Sequence, residues 1–63
     1  MQFVLTLDTD ELGDMGELAQ VVATVAKQVQ IEAVRSDLEF VHINTQSVRV
    51  YGNKTRVGGW SLK

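Results

Sequence analysis

Val48-Arg49-Val50-Tyr51-Gly52-Asn53-Lys54-Thr55-Arg56-Val57-Gly58-Gly59-Trp60 is the most informative stretch of this 63-residue chain. Gly52-Asn53 lies between two runs of alternating residues, and a glycine followed by asparagine suits a two-residue hairpin turn whose central residues need positive φ. The turn fixes a register in which Val50 faces Thr55, Arg49 faces Arg56 and Val48 faces Val57. In that register the two arginines share the face opposite Val48 and Val50. The Gly58-Gly59 pair that follows predicts a bulge, which shifts the side-chain parity and turns Trp60 and Leu62 into the core.

Upstream, Leu38–Ile43 is rich in Phe, Val and Ile and reads as a strand ended by Asn44-Thr45-Gln46, with a further strand over Ser47–Tyr51. Near the start, Phe3, Leu5 and Leu7 alternate with Gln2, Val4 and Thr6, the period of a half-buried strand. Between these regions Met15, Leu18, Val22, Val25 and Val29 recur at helical spacing, widened by Ala19, Ala26 and Ala33. This predicts a helix over residues 14–35 with Asp10 or Asp14 as its cap. Its valines are mediocre helix formers, so the helix depends on packing against a sheet. The expected fold is α+β in the order β-α-β-β-β, with a single helix packed on one face of a small, mainly antiparallel sheet and the other face open.

Length makes residues 1–63 one domain and leaves little core, since a chain this short buries only about 60% of the surface its unfolded form exposes. There is no cysteine, which removes disulfide staples and thiolate metal sites together. Good packing or self-association is the remaining support, and a homodimer is expected, formed by pairing edge strands or stacking the open sheet face. No run of signal-peptide character and no apolar stretch of bilayer-spanning length occurs in the sequence, so a cytoplasmic protein without a membrane partner is expected. Charge is uneven. Residues 1–32 set six carboxylates against Lys27, a net of −5, whereas residues 33–63 carry a net of +3 within an overall −2. An acidic helix and a basic hairpin that attract one another, or that solvate their own faces, account for this simply.

Few residues carry chemistry. His42 is the only histidine, without a nucleophile partner or a second nitrogen ligand, and it reads as a structural residue that either lies at a sheet margin or satisfies one hydrogen bond inside. Asp8, Asp10, Glu11 and Asp14 lack the spacing of a calcium loop and read as helix caps, favoured by the helix dipole. Gly13-Asp14-Met15-Gly16 lacks the lysine and the glycines of a phosphate loop. No catalytic residue, metal site or cofactor is expected. The outer face of the last hairpin is the exception. Arg49, Tyr51, Lys54 and Arg56, with Lys63 nearby, form a candidate partner-binding patch, able to meet an acidic protein surface or, with Tyr51 stacking on a base, nucleic acid.

Phe3-Val4-Leu5-Thr6-Leu7, Glu17-Leu18-Ala19 at the start of the helix, and the Val48–Trp60 stretch with its Gly-Asn turn and Val-Gly-Gly-Trp ending together resemble small uncharacterised proteins of actinobacterial phages and prophages. The chain departs from them at Val50 and Tyr51, where they carry an acidic residue before the turn. The resemblance implies a non-enzymatic phage-type accessory protein, in the host-cell cytoplasm, that binds another protein such as a host or defence protein. The alternative expectation is a small nucleic-acid-binding module that uses the basic hairpin face.

Overall fold

The computed structural model describes residues 1–50 and 55–63. Its elements run β1 (Phe3–Leu7), a 3-10 turn (Thr9–Glu11), α1 (Met15–Arg35), β2 (Ile43–Arg49) and β3 (Arg56–Leu62). The three strands form an antiparallel sheet in the order β1-β3-β2, so the last strand lies in the middle. The α+β expectation stands, but the order is β-α-β-β rather than β-α-β-β-β.

The difference lies in the middle segment. Asn44-Thr45-Gln46, expected to end a strand, sits inside β2. One extra residue is accommodated there, because Ile43 faces Leu62 while Gln46 faces Trp60. Of Leu38–Ile43, expected to be strand, only Ile43 joins β2; Leu38 lies in the turn that ends the helix, and residues 39–42 pair with no strand among the described residues, forming an arm before β2. Strand propensity alone does not make a strand; a partner must supply the ladder.

The hairpin register is close to expectation on the described side of the turn. The Val50 amide donates to the Thr55 carbonyl at 3.2 Å, and Arg49 faces Arg56. Val48, however, faces Gly58 rather than Val57, so β3 carries its extra residue at Val57, one position before the glycine pair. Gly52 and Asn53 themselves lie outside the described residues.

Gly58 is required by close approach of a backbone, and Gly59 is tightly placed against a side chain. A Cβ on Gly58 would stand 1.9 Å from the Thr6 carbonyl oxygen, and one on Gly59 would stand 2.8 Å from Thr45 Cγ2. Beyond them Trp60 is buried, as expected, and Leu62 is half-buried.

The helix begins as its sequence demands. The Asp14 carboxylate accepts the Glu17 amide at 2.9 Å, and the Glu17 carboxylate accepts the Gly13 amide at 2.8 Å, so two otherwise orphaned donors are satisfied. Asp8 caps the 3-10 turn in the same way through the Asp10 amide. The buried stripe differs from the apolar periodicity. Val21 and Val25 are buried, Leu18, Gln28, Val29 and Glu32 are half-buried, and Met15 and Val22 are exposed. The helix is therefore turned by about one residue from the phase that Met15 and Val22 suggest. Gln28 explains the shift: its side-chain oxygen accepts the Trp60 indole N–H at 2.7 Å, which brings a polar residue onto the buried face. The core is small, consisting of Val21, Val25, Val48, Val50, Val57 and Trp60, with Leu5, Leu7, Leu12, Val29 and Ile43 packed around it.

α1 ends in a left-handed turn without glycine. The Leu38 amide donates to the Ala33 carbonyl (2.7 Å) and the Asp37 amide to the Val34 carbonyl (3.2 Å), the paired bonds that close a Schellman motif. Asp37 has φ 56° and Leu38 φ 64°. Aspartate tolerates that region; for leucine it costs on the order of 1–2 kcal/mol.

Candidate functional site

Two surfaces of unlike character emerge, one on each side of the sheet. The first is the face away from the helix. Residues facing one another across an antiparallel pair share a face, so Val4 with Ser61, Thr6 with Gly59, Gly59 with Ser47, and Arg49 with Arg56 all lie on this side. Apart from Val4 its residues are small or hydroxyl-bearing, Gly59 and Ser61 among them are buried, and an arginine pair stands at one end. The Arg56 Nε–H donates to the Ser47 hydroxyl at 3.4 Å. Its guanidinium lies over Gly59, where a Cβ would stand 3.2 Å from Arg56 Nη2.

Of the four residues expected to form the patch, the structure brings Arg49 and Arg56 together as direct cross-strand neighbours, both exposed. Tyr51 and Lys54 lie outside the described residues. Like charges directly opposed on a sheet are unfavourable by a few tenths of a kcal/mol up to about 1 kcal/mol, and the planar guanidinium is the side chain best shaped to hold a carboxylate or phosphate through two parallel hydrogen bonds.

The second surface lies between the C-terminal half of the helix and the end of the sheet where Phe3, Leu62 and Ile43 form one row, and was not legible as a site in the sequence. A groove of about 310 Å³ opens there, with Val29, Ala33, Trp60 and Leu62 beneath it and Phe3 and the Leu38–Val41 arm as its walls. Phe3 packs on Trp60 with ring centroids 5.8 Å apart. Leu38 and Phe40 are each 80% exposed. The apolar surface continues from Phe3 and Val29 along Leu5, Val22 and Ala26. The signal in the sequence was the apolar run Leu38-Glu39-Phe40-Val41, but composition gives a buried strand and an uncovered arm the same appearance.

The remaining candidates are structural. His42 is exposed just before β2, and its Nε2 lies 3.1 Å from Asn44 Oδ1, the sheet-margin one of its two expected positions. Asp8 and Asp14 cap helical turns. Among the described residues no group of three or more His, Cys, Asp or Glu side chains could hold a metal ion, and no helix is long and apolar enough to cross a membrane. Compared with protein-family models, with curated proteins and with solved structures, the chain matches none.

Proposed function

We propose that this chain is a non-enzymatic, phage-type accessory protein that binds another protein through the open sheet face bearing Arg49 and Arg56. The observation that carries this reading is the direct cross-strand pairing of two exposed arginines at one end of the sheet face away from the helix. Arginine is among the residues that supply most energy at protein interfaces. The acceptor is a carboxylate-bearing surface of the partner, and the phage resemblance favours a host or defence protein as its owner. Nucleic acid is the second reading, favoured by the same arginine pair. The overall charge of −2 gives it little long-range steering toward a polyanion.

The test places a photo-crosslinking amino acid at Ser47, beside Arg56, in the cell that makes the protein. The expected result is an adduct with one protein that is lost when Arg49→Glu and Arg56→Glu are introduced together. Adducts with DNA or RNA would replace this reading with the second. A chain that gives neither kind of adduct refutes both.

A further inference from the structure

We infer that the apolar groove and the Leu38–Val41 arm form a two-fold interface with a second copy of this chain, each copy's arm seated in the other's groove. This deepens the reading of the chain as a binding protein and assigns a surface distinct from the arginine face.

The first ground is area. The chain exposes 4767 Å² and has a mass of 7.0 kDa, whereas a compact monomer of that mass exposes about 4,000 Å². The chain is elongated, 35 × 19 × 17 Å, and the surplus is spread over its whole surface; the part that bears on an interface is the exposed apolar run of Phe3, Leu38, Phe40 and Val41 beside the groove. The shape agrees. The radius of gyration is 12.2 Å, against about 10.6 Å for a compact chain of this length.

The second ground is Leu38. Its backbone is left-handed at φ 64°, a conformation that disfavours leucine, while its side chain is 80% exposed. Glycine would relieve the backbone, and a polar residue would suit the exposure. The Schellman motif favours an apolar residue at this position, but at 80% exposure the leucine gains little from the helix end to offset its left-handed backbone; burial against a partner would.

The third ground is reciprocity. A two-fold interface must be self-complementary, with one patch carrying both the projecting group and the recess that receives it. The arm supplies Leu38 and Phe40 as projections beside the recess floored by Val29, Ala33 and Trp60. Among the described residues the backbone amides of Phe40 and Val41 have no partner, so two arms crossing at the axis can pair as strands. A foreign partner would have no reason to match both halves. The association expected from edge strands or from the open sheet face is thereby relocated, leaving the arginines clear for the partner protein.

Sedimentation equilibrium of the purified chain tests this. A mass of twice 7.0 kDa is expected at about 100 µM, falling toward one copy on dilution. Phe40→Glu and Leu38→Glu should each weaken the dimer more than about tenfold while helical circular dichroism is kept, since both side chains are exposed in one copy. Val34→Glu alters an exposed apolar residue outside the groove and should leave the dimer intact, as should Arg49→Glu with Arg56→Glu. Leu38→Gly separates the two roles of that residue: the melting midpoint of the dilute monomer should rise while dimerisation weakens. A monomer at all concentrations, a monomer carrying a co-purified lipid in native mass spectrometry, or a dimer broken by Val34→Glu but not by Phe40→Glu would overturn the inference. Because the crosslinking at Ser47 reads a different face, the two proposals fail separately.

Discussion

β3 and the Leu38–His42 arm are built from similar material, each a short run of apolar residues broken by small or polar ones, yet they end in opposite situations. β3 pairs on both sides and is mostly buried along its length, whereas the arm has no strand beside it and leaves Leu38 and Phe40 in the open. The difference lies in what each residue permits its neighbours to do. Gly58 lets the β1 backbone approach β3 more closely than any side chain would allow, and Gly59 leaves tight room beside Thr45 and the Gln46 carbonyl of β2. The arm follows a left-handed turn at Asp37 and Leu38 that ends α1, and β2 begins only at Ile43. Strand character in a sequence is thus an offer of pairing, and the fold accepts it only where another backbone can come close.

The most severe way to break this contrast is Gly58→Val. Its Cβ would collide with the Thr6 carbonyl, and separating β1 from β3 should remove more than the roughly 3–5 kcal/mol that a core of this size supplies. A chain without a cooperative thermal transition is expected, and an unchanged melting temperature would show that β1 does not need the close approach.

A smaller loss is expected for Gln28→Ala. It strands the buried Trp60 indole N–H and should cost about 1–3 kcal/mol in urea unfolding. If Trp60→Phe in the same background recovers none of that loss, the hydrogen bond is not the reason a glutamine faces the core. At the lower end, Phe40→Ser should change the stability of the dilute monomer by no more than about 0.5 kcal/mol. A larger loss would mean that the arm already packs within one copy and that its likeness to β3 is greater than described.

Much of this was legible in the sequence. Alternation gave β1, helical spacing gave α1 with Asp14 as one of its two candidate caps, and Gly52-Asn53 gave the facing of Arg49 and Arg56. The helix phase was not legible, because apolar periodicity passes over a glutamine whose oxygen serves a distant indole. Nor were the two irregularities at Val57 and within Asn44-Thr45-Gln46, since a bulge depends on how two strands slide past each other and not on either strand alone. The arginine half of the candidate site could be read because register and turn are local. The groove could not, because it is made by the meeting of β1, α1 and the arm, which lie far apart in the chain.

The position of Trp60 has an experimental consequence. It is the only tryptophan in the chain, 2% exposed, held by Gln28 and in contact with the Phe3 ring at the floor of the groove. Its fluorescence is therefore a built-in optical gauge with two settings. Unfolding should move the emission to the red as the indole meets water, and a second copy closing over the groove should reduce quenching by acrylamide with little change in colour. One unlabelled sample, diluted and then denatured, would report assembly and folding on separate channels.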